Sequence, residues 1–301
     1  MIQAEMAIER ILCPVDFSKF SVWAFTHASS LAQHFGAKLF VQYVVELGQY
    51  PSADFAPNAY AYDEFCSTLL SQGEAQLRAF IQAHRKYEVA PECIASKGMA
   101  ADSVLSFAKQ QAIDLIVMGT HGRRGFERLM LGSVTEKVLR MAQCPVLAVP
   151  EPRSDFAAST TSGDEIQLRQ IVACTDFSES SYEALHYGIS VAEEYHANLT
   201  LVHVLEDVST PGCVENTTTA YKRLDGLIPT QTKLTSRITT AVRIGRAYRE
   251  ISQLARESYA DLVIMAVHGR NSLDDAVFGS TTYRVIQSGV CPVLAIHKTS
   301  P

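Results

Sequence analysis

The sequence predicts an α/β protein made of two copies of one parallel-sheet domain. Three observations carry this. First, short apolar, β-branched runs alternate with amphipathic helical stretches, the order that gives parallel strands with helices on both faces. Second, the alternation repeats within the chain: residues 16–46 lie over 176–206 at an offset of 160, and residues 98–150 over 245–297 at an offset of 147. Third, a glycine-rich loop recurs. It reads Gly119-x2-Gly122-x9-Gly132-Ser133 in the first copy and Ala266-x2-Gly269-x9-Gly279-Ser280 in the second. The offset falls from 160 to 147, so 13 residues are missing from the middle of the second copy.

Each element of the first copy has a local reason. Ile11–Val15 is an apolar strand, and Asp16-Phe17-Ser18 opens a helix with Ser18 as its N-cap. Gly36 ends that helix, and Lys38–Val45 is the next strand. Residues 47–61 hold Pro51 and Pro57 and read as a loop before a helix over Tyr62–His84. Then follow a strand over Val89–Ser96, a helix over Ala100–Gln110, and the buried-strand run Leu115–Met118. The glycine loop leads into a helix over Ser133–Met141 and a last strand, Val146–Val149. Residues 151–168 are polar, open with many Ser and Thr, and read as a linker between domains at 1–150 and 169–301. In the second copy Pro211, Gly212, Gly226 and Pro229 leave room for only a short helix in 207–230, where the deletion falls.

Composition limits the function. The chain has 301 residues, 47% hydrophobic and 19% charged, so two cores can be buried. The formal net charge of −6 argues against nucleic acid or an anionic membrane as the main partner. The first ten residues lack the apolar region of a secretory signal, and no run reaches membrane-spanning length. Seven scattered cysteines without a Cys-x-x-Cys pair fit a reducing compartment, so the expectation is a cytoplasmic protein.

The glycine loop carries the chemistry. It stands between a strand end and a helix start. Gly119 and Gly122 permit close backbone approach, and Arg123 and Arg124 supply positive charge. Gly132 and Ser133 bring N–H groups and a hydroxyl to a helix N-terminus, where anions bind. A phosphate is the simplest ligand for this set. The loop is neither the Gly-Lys-[Ser/Thr] phosphate loop nor Gly-x-Gly-x-x-Gly.

These residues, with Pro14-Val15-Asp16 ending one strand and Val44 ending another, resemble the universal stress protein family in its tandem two-domain form. The resemblance covers both copies. It implies five-stranded sheets of order 3-2-1-4-5 and ATP binding where the glycine motif is complete. It further implies pairing of the last strands, Val146–Val149 and Val293–Ile296, which would make the chain an intramolecular pseudo-dimer. In that order the crevice lies between strands 1 and 4. Pro14, Asp16 and Val44 would then hold adenine, Gly119 would leave space for ribose, and Gly122, Arg123, Gly132, Ser133 and the N–H of Val134 would hold phosphates, with Mg2+ accompanying the ATP. Asp176, Val204, Gly269, Arg270, Gly279, Ser280 and Thr281 would form a weaker second site. There Ala266 adds a methyl group, and the loop charge falls from +2 (Arg123, Arg124, Glu127, Arg128) to −1 (Arg270, Asp274, Asp275).

Other residues have plainer readings beside sharper ones. Asp16 and Asp176 fit a base, a metal ligand, an adenine contact or a strand-end carboxylate. His121 and His268 recur beside the loop but lack the partners of a catalytic set, so structure or phosphate contact is the expectation. Cys144 and Cys291 read as half-buried strand starts, and Trp23 as packing. No catalytic set or metal-ligand spacing is legible. The expectation is an ATP-binding stress-response regulator acting on an unidentified protein partner, with a homodimer of the tandem chain allowed. The alternatives are a slow ATP hydrolase or nucleotidyl transferase, and a structural pseudo-dimer whose sites hold no nucleotide.

Overall fold

The computed structural model describes residues 8–47, 59–122, 130–152, 166–206, 217–229, 232, 234, 237–268 and 279–297. They form two compact bodies that divide between Cys144 and Pro145. The first contains β1 (Arg10–Pro14), α1 (Lys19–Phe35), β2 (Lys38–Val45), α2 (Ala59–His84), β3 (Glu92–Lys97), α3 (Ala100–Gln110), β4 (Leu115–Gly119) and α4 (Ser133–Met141). The second contains β5 (Val146–Val149), β6 (Gln170–Cys174), α5 (Glu179–Glu194), β7 (Asn198–Leu205), α6 (Thr217–Asp225), β8 (Ile238–Ile244), α7 (Ala247–Glu257), β9 (Leu262–Ala266), α8 (Ser280–Ser288) and β10 (Val293–Ile296).

In the first body β1 pairs in parallel with β2 and β4, and β2 with β3, giving the order β3-β2-β1-β4. Its middle strands are buried on both sides, as parallel strands under two helical layers must be: Ile11, Leu12, Val41, Ile116 and Val117 are each fully enclosed. Alternate residues of β2 show the two layers. Tyr43 packs on Phe17 and lies against Gly73 of α2, while Phe40 meets Phe107 of α3 and Gln42 donates to Ser96. In the second body the order is β8-β7-β6-β9-β10-β5, parallel except for the last pair. There β10 meets β5 antiparallel, with Leu294 opposite Leu147. The last strands of the two repeats therefore pair with each other, as expected.

Boundaries follow local chemistry. Ser18 caps α1 by accepting from the Ser21 N–H, and Gly36 ends it in the left-handed region at φ 62°. Two carboxylates recur as strand clamps. Asp114 accepts from the N–H groups of Glu9 and Arg10 at 2.9 Å each, and Asp261 from those of Arg169 and Gln170 at 2.7 and 2.9 Å. Two expectations shift. The third strand begins at Glu92 and not Val89, because Pro91 has no N–H for the ladder. The helix expected from Tyr62 begins at Ala59. The short second-repeat helix is α6, nine residues long. Residues 153–165 of the expected linker lie outside the described residues.

Candidate functional site

β1 and β4 run side by side, so their carboxyl ends open together at the point where the strand order reverses. The chain leaves β1 through a tight turn. The Val15 N–H donates to the Gln42 carbonyl at 2.8 Å, holding the strand end against β2. Asp16 then organises the turn: its Oδ1 accepts from the Ser18 N–H at 3.0 Å and from the Ser21 hydroxyl at 2.6 Å. Phe17 sits at φ 64°, a region that bulky side chains avoid, and its ring packs on Tyr43 at 4.5 Å and Phe80 at 5.6 Å. Phe177 repeats this at φ 61°. Such a conformation costs about 1–3 kcal/mol and needs support from its surroundings. Its recurrence marks Asp-Phe-Ser as a shaped turn.

Across from it, the loop after β4 is pinned at both ends. The Gly132 N–H donates to the Thr120 carbonyl at 2.9 Å, and the Thr135 hydroxyl to the Gly119 carbonyl at 2.8 Å. The second repeat has the same two bonds, Gly279 to Val267 at 2.9 Å and Thr282 to Ala266 at 2.8 Å. The N-cap of α4 is Gly132, not Ser133, and it makes no side-chain bond. The first turn of α4, with the N–H groups of Ser133 and Val134, therefore receives no oxygen from its cap, and Ser133 is exposed at the first helical position. An anion is the natural complement of such an end.

Gly122 joins the two sides. A methyl group added there would stand 2.7 Å from Asp16 Oδ2, so a side chain at 122 would press on the carboxylate that holds the turn. His121 precedes Gly122 in the loop. Its Nδ1 is 2.9 Å from the Thr120 hydroxyl and its ring centre 5.0 Å from that of Phe20. The structure thus brings together Asp16, Gly119, Gly122 and Gly132, with Pro14 half-buried at the end of β1 and Val44 half-buried near the end of β2. Arg123, Arg124, Glu127 and Arg128 lie outside the described residues.

Gly119 differs from its expected role. A methyl group there would meet the Phe20 Cβ at 2.8 Å and the Phe20 carbonyl oxygen at 3.0 Å. The missing side chain admits helix α1; it does not leave a space open for ribose. By register, the methyl of Ala266 points toward α5, where Ser180 holds the place of Phe20.

The second turn is wired differently. Asp176 Oδ1 accepts from the Ser178 N–H at 3.0 Å and the Ser178 hydroxyl at 2.5 Å. Thr175, in place of Val15, accepts from the Phe177 N–H at 2.9 Å, and its carbonyl is 2.8 Å from Nδ1 of the buried His203. Phe177 is covered by His203 and by the Arg223 guanidinium, 3.8 Å above its ring. Gly279 is the N-cap of α8, Ser280 and Thr281 are its first residues, and Val204 is half-buried on β7. Gly269, Arg270, Asp274 and Asp275 lie outside the described residues.

Sequence reading missed Ser21, Thr135 and Thr282, although each repeats at the constant offsets. The cysteines follow expectation: burial pushes the Cys144 and Cys291 thiols up to about 12, away from the thiolate form. Among the described residues no group of three or more His, Cys, Asp or Glu could hold a metal ion, and no helix is long and apolar enough to cross a membrane.

Comparison with known proteins agrees with the repeated fold. The model of the universal stress protein family matches residues 7–150 and again 167–297. A universal stress protein of Methanocaldococcus jannaschii is 32% identical over 151 residues, covering 50% of this chain and 87% of the relative. One from Bacillus subtilis is 29% identical over 144 residues, covering 46% and 97%. Among solved structures, a universal stress protein from Archaeoglobus fulgidus superposes with a TM-score of 0.65 at 18% identity, covering 97% of each chain, a likeness of fold.

Proposed function

The chain belongs to the universal stress protein family, and from that premise we propose that its first repeat binds ATP at the β1–β4 crevice and acts as a nucleotide-responsive regulator of a protein partner. The observation that carries the reading is the pinned loop. Its closing bond at Gly132 presents the uncapped start of α4 to the same crevice as Asp16, and Gly122 has no room for a side chain there. Those residues fit a phosphate chain: a positive helix end, a backbone that can approach closely, and arginines next in sequence. The phosphates would lie along Gly122, Arg123, Gly132, Ser133 and Val134, and the adenine against Pro14, Asp16 and Val44. The second repeat keeps the pinned loop and the glycine N-cap and would bind more weakly, since its loop carries a net charge of −1 (Arg270, Asp274, Asp275) against +2 in the first (Arg123, Arg124, Glu127, Arg128). Bound nucleotide stabilises the form that holds it and so shifts what the domain presents to a partner.

The test is direct. Purified protein, denatured and chromatographed, should release adenine nucleotide, and calorimetry with ATP should give binding, run with and without Mg2+ to find whether the ion is needed. Gly122→Val should abolish binding at this site with an unchanged circular dichroism spectrum. Undiminished affinity in that variant would exclude the loop. Steady ATP turnover would turn the reading toward a hydrolase.

A further inference from the structure

The two repeats diverge most sharply where their last two helices touch. In the first, Lys137 of α4 pairs with Asp102 of α3 at 2.6 Å. The matching residues of the second repeat are Arg284 of α8 and Arg249 of α7. Around them, Ala101 becomes Tyr248 and Met99 becomes Arg246. A neutral set with one internal ion pair is thus replaced by three arginines and a tyrosine.

The replacement is organised. The Arg284 guanidinium stands 4.9 Å from the centre of the Tyr248 ring and that of Arg249 5.7 Å from it. Arg249 Nε donates to the Tyr248 hydroxyl oxygen at 3.0 Å. Arg246, Arg249 and Arg284 are exposed, and among the described residues no carboxylate forms an ion pair with any of them. Of the nearby carboxylates, Glu206 accepts from the Ala247 N–H at 2.7 Å and Glu257 pairs with Arg243 at 2.6 Å, while Glu250 stands in the first turn of α7 with its carboxylate beside Gly245. The field is felt by the one group that can report it. The Tyr248 hydroxyl is more acidic than an ordinary phenol, through the Arg249 hydrogen bond first, with the charges of Arg249 and Arg284 and a bond from Arg246 adding to it. An anionic oxygen is therefore favoured at this spot. Arg246 and Arg249 also flank the first turn of α7, whose positive end adds to theirs.

We propose that Arg246, Arg249, Arg284 and Tyr248 form an anion site on the second repeat that takes a short chain of phosphate groups. Guanidinium forks match phosphate oxygens in pairs, and two of them already stand 4.9 and 5.7 Å from one ring centre. The cluster spans one aromatic ring and its neighbours, the scale of one to three phosphates. The net charge of −6 opposes a long polyanion such as a nucleic acid. The site is separate from the first-repeat loop and does not rest on the ATP reading.

The test uses the full chain carrying Gly122→Val and Gly269→Val, which block the glycine loops of both repeats, with inorganic triphosphate as the probe in calorimetry at low and high salt. One triphosphate should bind, more weakly as salt rises. Arg249→Asp with Arg284→Lys rebuilds the ion pair that the first repeat already accommodates and should weaken binding about tenfold or more, since hydrogen bonds to charged groups carry that much. Arg284→Gln in the same loop-blocked chain should lower triphosphate affinity in the same direction while leaving the melting temperature unchanged. No triphosphate binding at low salt, equal affinity in the Asp/Lys variant, or binding of a single-stranded oligonucleotide in place of triphosphate would each overturn the proposal.

Discussion

Gly119 and Gly122 are both glycines for want of room, yet different neighbours take the room. At Gly122 it is the Asp16 carboxylate, 2.7 Å from where a methyl would stand; at Gly119 it is the backbone of α1 at Phe20. The first is a site constraint and the second a packing constraint, so substitution should separate them. Gly119→Ala should cost roughly 1–3 kcal/mol of stability by pushing α1 away. That appears as a lower urea midpoint, with ATP affinity reduced only as far as the crevice is distorted. Ala266→Gly should correspondingly bring no gain in nucleotide binding at the second repeat, because its methyl faces α5. A clear gain in calorimetry would restore the view that this position borders ribose. Both glycines were legible as important from their spacing. Their different reasons were not, because the spacing records neither Phe20 nor Asp16 as a neighbour.

At the scale of elements, helices with local signals were read to the residue. α3 spans Ala100–Gln110 and α4 spans Ser133–Met141, as their patterns indicate. Strand 3 and the start of α2 were displaced because the competing signals there, Pro91 and the Pro-rich approach to Ala59, act on only one or two residues. The cap of α4 is Gly132, a residue without a side chain to bond the helix start, and the pattern alone does not show this. β2 contains a feature that the pattern hides altogether. Gln42 is 1% exposed, its Nε2 donates to Ser96 at 3.1 Å, and its Oε1 has no hydrogen-bond partner in the described structure. The matching residue of β7 is Val202, also buried. An apolar side chain is therefore compatible with this place in the sheet. Gln42→Met keeps the length and removes the unsatisfied oxygen, so it should stabilise the protein by about 1 kcal/mol. Thermal denaturation should show a rise of a few degrees. A lower melting temperature would mean that the amide is satisfied in solution, for instance by a buried water.

At the scale of the molecule, the last strand of the first repeat belongs to the second body, and this decides how the repeats can be studied apart. β10 is an interior strand, held by β9 on one side and β5 on the other. The β5–β10 ladder is centred on Leu147 opposite Leu294, which are equivalent positions in the two repeats. The strands read Val-Leu-Ala-Val and Val-Leu-Ala-Ile. A second copy of β10 can therefore replace β5 in the same register, and the resulting pair closes as a twofold. A fragment of residues 166–301 lacks β5 and leaves an apolar edge unpaired, which tends to pair with another chain. It should sediment as a dimer at micromolar concentration, while residues 145–301, which keep β5, should sediment as a monomer. Ala295→Pro in the shorter fragment removes a ladder donor at the centre of the edge and should abolish the dimer. A monomeric 166–301 fragment would show that β10 does not need a strand on that side. Nucleotide affinities of the two repeats should for this reason be compared by single-site variants in the intact chain, where the edge of β10 is covered.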